Sequence, residues 1–245
     1  MKDYIVVIPA RMQSSRLPGK PLIELQGKSM IQRTFAQCTK AVDKNLIYVA
    51  TDSEEIYSHC MQNDMQVLMT SEEHLTGTDR VAEVAEKIEA KHYINVQGDE
   101  PIFNPADLKE TIKALKKYPA DIINGYAILE KEAQYKSVTI PKLVFRPDGR
   151  LLYMSRSPIP GSKSGSLRKS WRQICIYVFP KKALISFAKC KEKTPLEAEE
   201  DIEILRFLEL GFEVRMIPLS NDSVAVDTPE DAEIVREILK INDEG

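Results

Sequence analysis

An apolar strand that runs directly into a cation-rich loop most constrains what this chain can fold into. Tyr4 to Ala10 is apolar over nearly its whole length, and Arg11-Met12-Gln13-Ser14-Ser15-Arg16-Leu17-Pro18-Gly19-Lys20-Pro21 follows without a break. Such a strand suits the middle of a buried parallel sheet, whose strands read as continuous hydrophobic runs. The loop suits a polyphosphate. Guanidinium forks at Arg11 and Arg16 take phosphate oxygens in pairs, Lys20 adds a point charge, and Ser14 and loop amides complete an anion-binding concavity. Neither G-x-G-x-x-G nor G-x-x-x-x-G-K-S/T is present, which excludes a dinucleotide fingerprint and a kinase-type P-loop.

Downstream, short β-branched runs alternate with amphipathic stretches, the pattern of βα units. Ile31, Phe35, Cys38 and Val42 mark one face of a helix capped by Ser29, and Asn45 to Thr51 reads as a second strand. Asp52 and Ser53 open a helix through His59, and Met65 to Met69 reads as a third strand. Thr76-Gly77-Thr78-Asp79 starts a further helix. The strand His92 to Val96 delivers Gln97-Gly98-Asp99-Glu100-Pro101 to the carboxyl edge of the sheet. Asn104-Pro105 then opens a helix, and Ile122 to Ile128 is another strand. From about 131 to 180 the chain changes character: prolines cluster, and Pro147-Asp148-Gly149 turns between two short strands. A helix from Pro195 to Leu210, a strand from Phe212 to Pro218, an apolar run ending at Asp227 and a last helix capped by Thr228-Pro229 restore the α/β pattern. The expectation is one α/β domain over 1–245, a mainly parallel central sheet with helices on both faces, carrying a small β-rich lobe.

Composition narrows the function. With 34 basic and 37 acidic residues the net charge is −3, so no broad basic surface advertises nucleic acid or an anionic membrane. Four cysteines and three histidines show no metal-ligand spacing and read as reduced thiols and ordinary imidazoles of a cytoplasmic protein. No apolar run reaches membrane-spanning length. A triphosphate handled at neutral pH carries Mg²⁺, which takes oxygen ligands. Asp99 and Asp227, each expected to follow a buried apolar strand, the second of them Val224 to Val226, are the candidates, since open α/β sheets bind ligands at the carboxyl ends of their strands.

The motifs resemble those of the 3-deoxy-manno-octulosonate (Kdo) cytidylyltransferases. The opening loop matches that family's I-P-A-R-x-x-S-x-R-L-P-G-K-P at every fixed position, Asn95 to Pro101 matches N-V-Q-G-D-E-P, and Val226 to Asp231 matches V-D-T-P-E-D. Tyr48 to Asp52, Thr76 to Arg80 and Tyr153 to Pro160 resemble further family segments. The resemblance implies a Rossmann-like nucleotidyltransferase that transfers CMP from CTP to an acidic 3-deoxy sugar. It implies Mg²⁺ on Asp99 and Asp227, and catalytic roles for Lys20 and Arg16 beside them. Arg11, Ser14, Arg16, Lys20, Gly77, Arg80 and Gln97 would meet the nucleotide. Arg156, Gln173, Tyr177, Glu203 and Ile204 would meet the sugar. It also implies a homodimer joined through the β-rich lobe, and a place in lipopolysaccharide biosynthesis.

Two departures fall at the presumed sugar pocket. The family's histidine and glycine are here Gln173 and Cys175, and its L-E-Q-L-R is Ile202-Glu203-Ile204-Leu205-Arg206. Either the pocket serves another ulosonic or amino-substituted acid, or these side chains repack behind it. A catalytically silent nucleotide-binding protein is the alternative from a different class; Lys20, Asp99 and Asp227 together argue against it.

Overall fold

The computed structural model describes residues 1–14 and 17–243, with side chains through 241. Ser15 and Arg16 lie outside the described residues. The chain forms two compact units, one of residues 1–109 with 222–245 and one of residues 110–221. The expected lobe at 131–180 falls within the second.

The first unit is built on β1 (Lys2–Ala10), with β2 (Glu24–Leu25), β3 (Lys28–Ser29), α1 (Met30–Thr39), β4 (Ile47–Thr51), α2 (Glu54–Gln62), β5 (Val67–Met69), α3 (Gly77–Lys87) and β6 (Ala90–Val96) following. Its main sheet is parallel, in the order β6-β1-β4-β5. Ala10 pairs with Thr51 and Val7 with Asn95, so the loops after β1, β4 and β6 leave from the same edge. Ile5 to Ile8 have no exposed surface, as the continuous apolar run requires. Helix starts follow the caps in the sequence: Ser29 with Gln32 and Thr76 with Asp79 form capping boxes, and Ser53 caps α2. Each such cap contributes about 1 kcal/mol. Residues 44–46 form a 3₁₀ turn, so the second strand is shorter than expected.

α4 (Pro105–Lys117) leads to β7 (Ile122–Ile128), α5 (Glu132–Lys136), β8 (Lys142–Phe145), β9 (Leu151–Ser155), β10 (Trp171–Pro180), α6 (Lys181–Lys189), α7 (Pro195–Glu200), α8 (Ile204–Glu209) and β11 (Val214–Pro218). In the second unit β7 pairs in parallel with β11 and antiparallel with β10, which in turn pairs β8, and β8 pairs β9. A bulge interrupts β10 between Ile174 and Tyr177. The buried Asn124 amide donates to Ile174 O at 2.9 Å and Ile176 O at 3.0 Å, satisfying the carbonyls that the bulge takes out of register.

Two expectations need correction. The expected helix from Pro195 to Leu210 is broken into α7 and α8, with Asp201 left-handed at φ 51° between them. The break lets Arg206 turn onto Glu197 in a paired contact of 2.5 and 2.7 Å, with Arg206 Cζ 3.7 Å from the Phe187 ring centre. Both charged side chains are 1% exposed, so neither could be buried alone. The run Val224 to Val226 is not a strand. Val226, with Val224 beside it, instead enters a cluster with Leu25, Met30 and the helix α9 (Pro229–Asp243).

Candidate active site

Asp99 stands just beyond β6, and the turn that presents it depends on Gly98. A Cβ there would lie 2.9 Å from Pro9 O, closer than side-chain carbons approach backbone, so glycine lets the end of β6 lie against the end of β1. Thr34 Oγ1 sits 3.1 Å from Gly98 O and braces the turn from α1. Asp227 is brought up by a single backbone bond, Val226 N donating to Asp99 O at 2.9 Å, with Val226 wholly buried beneath it. Asp231 fixes the far side by accepting from Asp227 N, Thr228 N and Thr228 Oγ1.

Lys20 reaches this pair from the loop after β1. Gly19, at φ 69°, turns the chain into a 3₁₀ turn at Lys20–Leu22, and Ser14 Oγ accepts from Leu17 N at 3.3 Å. The Lys20 ammonium lies 2.7 Å from Asp99 Oδ2 and 3.1 Å from Asp227 Oδ1. Its side chain is 16% exposed, against 27% and 38% for the two aspartates. Burial alone would lower the Lys20 pKa, but the charges and hydrogen bonds of Asp99, then of Asp227, outweigh it and hold the ammonium above its ordinary value. Three distant stretches of chain therefore meet on one nitrogen.

The other nucleotide candidates of this unit stand at the ends of β1 and β6 and at the start of α3. Arg11 is exposed at the end of β1 and Ser14 is partly buried. Gly77 opens α3 against Pro9 and Gln97: a Cβ on it would stand 3.6 Å from Pro9 Cγ and 3.8 Å from Gln97 Nε2. Arg80 is different. It is 3% exposed, donates to Asp52 at 2.6 Å and Ser71 O at 3.3 Å, and bonds Thr70 Oγ1, tying the chain before α3 to the end of β4. Asn95, fully buried two residues before Gln97, has neither amide atom hydrogen-bonded among the described residues.

In the second unit the sugar candidates do not gather in this way. Arg156 donates to Glu200 O at 2.6 Å, Asp201 O at 2.9 Å and Val138 O at 3.0 Å, closing the carboxyl end of α7. Gln173 Nε2 donates to Asn124 Oδ1 at 3.0 Å, joining the buried network that holds the β10 bulge. Tyr177 stacks on Phe179 with ring centres 5.8 Å apart, Ile204 is 1% exposed, and Glu203 precedes α8. Asn124 was not singled out in the sequence. An asparagine inside an apolar strand run was the available signal, since a buried amide there must find partners.

A divalent cation would find oxygen donors suited to Mg²⁺ at Asp99 and Asp227, which are close enough for one ammonium to touch both. No group of three acidic, histidine or cysteine side chains able to hold a metal occurs among the described residues. Two carboxylates fit an ion whose remaining ligands are water and substrate phosphate.

Comparison with known proteins shows what the chain resembles. Residues 5–216 match the model of the family described as cytidylyltransferase. The chain is 37% identical to a 3-deoxy-manno-octulosonate cytidylyltransferase of Protochlamydia amoebophila, covering 97% of this chain and 94% of the relative. It is 38% identical to the enzyme of the same name from Geobacter sulfurreducens, covering 97% and 100%. A CMP:2-keto-3-deoxy-manno-octonic acid synthetase solved in complex with CTP superposes with a TM-score of 0.92 at 31% identity, covering 98% of this chain and 100% of that one. By sequence along nearly its whole length and by fold, the chain belongs to the 3-deoxy-manno-octulosonate cytidylyltransferase family.

Proposed function

We propose that this protein transfers CMP from CTP to the anomeric hydroxyl of a 3-deoxy-ulosonic acid, with Kdo the first candidate, and releases pyrophosphate. The observation that carries the reading is the meeting of Lys20, Asp99 and Asp227 at one point, in a chain of this family. The hydroxyl oxygen forms a bond to the α-phosphorus while the bond to the bridging oxygen of the β-phosphate breaks in line. Pyrophosphate takes that electron pair, and the hydroxyl proton is lost to water. Arg11 and Lys20, with Arg16 from outside the described residues, neutralise the triphosphate and the leaving pyrophosphate. Ser14, Gly77 and Gln97 line the nucleotide, and Arg80 acts by fixing the segment before α3. Asp99 and Asp227 hold Mg²⁺, which when bound supplies charge neutralisation and a lowered pKa for the attacking hydroxyl. Their two carboxylates set where the hydroxyl and the α-phosphate must lie.

A second reading, transfer to a different ulosonic or amino-substituted acid, draws on Gln173 and Ile204 standing where the family has histidine and glutamine. The proposal extends to a homodimer in the cytoplasm. Support for a second copy comes from the aromatic cluster of Tyr126, Phe145 and Trp171, with ring centres 4.6 and 4.8 Å apart, and from Ile128 nearby at 56% exposure. Among the described residues no helix is long and apolar enough to cross a membrane. The deciding experiment measures pyrophosphate release with CTP, UTP and ATP against Kdo, an amino-substituted relative and a nonulosonic acid. The highest specificity constant is expected for CTP with Kdo. Release from the amino-substituted relative alone selects the second reading, and nucleotide binding without release from any pair overturns both.

A further inference from the structure

Lys20 occupies the position that a cation shared by Asp99 and Asp227 would need. An ammonium has three hydrogens, and here one points to Asp99 Oδ2 and another to Asp227 Oδ1. The side chain is only 16% exposed, so this is a built contact rather than a chance meeting of mobile surface groups. Two consequences follow. One hydrogen is left for a triphosphate oxygen, and a polyanion bound there competes with both carboxylates for the same ammonium. A divalent ion cannot sit between the carboxylates while the ammonium stays, since steric overlap and like-charge repulsion both oppose it.

We infer that Lys20 gates the divalent-cation site: without nucleotide its ammonium closes the Asp99–Asp227 pair, and a bound triphosphate opens the pair by drawing the ammonium onto itself. The inference rests on the reading of Asp99 and Asp227 as cation ligands. It adds that cation and nucleotide bind cooperatively through a protein group, beyond the chelation that any triphosphate brings. Linkage makes this reciprocal, so the cation also tightens the nucleotide by the same factor. The exchange is balanced in charge: the carboxylates trade one cation for another, and Lys20 trades carboxylate oxygens for phosphate oxygens. A site of two carboxylates without Lys20 would instead fill with any divalent ion in solution. The gate thus reserves the site for an ion arriving with triphosphate.

The test is Mn²⁺ binding to the nucleotide-free protein, followed by electron paramagnetic resonance and calorimetry, in the wild type and in Lys20→Met, Lys20→Gln and Lys20→Arg. Removing the ammonium should tighten Mn²⁺ binding tenfold or more in the Met variant, and the Gln variant provides the same reading should the Met variant not fold. Lys20→Arg keeps the charge and should bind no tighter than wild type. Adding Asp99→Asn to Lys20→Met should abolish the gain. Equal or weaker Mn²⁺ affinity in both uncharged variants overturns the gate. If in that case Asp99→Asn still weakens Mn²⁺ binding to the wild type with a non-hydrolysable CTP analogue, the ligand assignment survives the gate's failure. If Asp99→Asn has no effect on Mn²⁺ in either state, the ligand assignment falls and takes the gate with it.

Discussion

The two units treat their candidate cations in opposite ways. In the first, Lys20 ends on the charges of Asp99 and Asp227, all three with some water contact. In the second, Arg156 donates to three backbone carbonyls, with the exposed Asp201 carboxylate 3.6 Å from its Nη2, and Lys142, wholly buried, donates to Ser137 O at 2.6 Å, Ile140 O at 2.8 Å and to Arg156 O. Charge facing charge is exchangeable, because a substrate can replace one partner with another of the same sign. A guanidinium closing a helix end is committed, because leaving gives up three hydrogen bonds at once, one of them part-buried. The same residue type at a motif position can therefore be a ligand group or a structural clasp, and its partners decide which.

That contrast can be broken from either side. Asp99→Asn keeps the shape of the first site and removes half of its charge; kcat for pyrophosphate release should fall about a thousandfold, as for loss of a central electrostatic group. The melting temperature should stay within a few degrees of wild type. Full activity would remove Asp99 from the chemistry. Arg156→Ala should cost about 2 kcal/mol of stability in urea unfolding, from one part-buried bond lost at Glu200 O and two exposed bonds that water replaces in part. Unchanged stability with a raised KM for the sugar would instead show that Arg156 is exchangeable, and the contrast would fail.

The capped helices and the strand-to-loop junctions were legible in the sequence because their determinants are local. Ser29, Ser53, Thr76 and Thr228 each act within four residues of themselves. The carboxylate pair was legible only through motif and strand position, since Lys20 and Asp227 stand 207 residues apart. The errors share a cause. Nothing near Asp201 marks a break in the helix pattern, because the break serves the Arg206–Glu197 pair in the core. Val224 to Val226 has the composition of a strand, but Val224 and Val226 pack into the cluster with α9 and the segment joins no ladder. Gln173 could not be assigned to Asn124, 49 residues away, from its own neighbours.

Ile204 sharpens the comparison on a smaller scale. At 1% exposure its change to glutamine should cost about 1–3 kcal/mol, the penalty for burying an amide without partners. The ratio of specificity constants for Kdo and its relatives should stay fixed. A shifted ratio at unchanged stability would return Ile204 to the sugar pocket. The smallest effect concerns Glu83 in the first unit. Burial pushes its pKa up, but hydrogen bonds from Lys87, Ser71 N and His74 outweigh this and bring it to about 2, from an ordinary 4.5. Its stabilisation is fully present above pH 4.5 and is lost as the pH falls towards 2. Glu83→Gln should flatten that part of the melting temperature against pH; identical slopes would show that these contacts add nothing.

The route by which Asp227 reaches its partner has a consequence for the order of events in synthesis. A ribosome delivers Lys20 and Asp99 within the first unit's opening 109 residues, then makes all of residues 110–221 before Asp227 emerges. The bond from Val226 N to Asp99 O closes a loop of more than a hundred residues, a contact whose entropy cost defers it to late in folding. A chain halted before residue 222 contains Lys20 and Asp99 but no second carboxylate to complete the pair. The carboxylate pair thus waits for residues made after the whole of the second unit, and a nascent chain carries Asp99 through the synthesis of residues 110–221 before its partner exists.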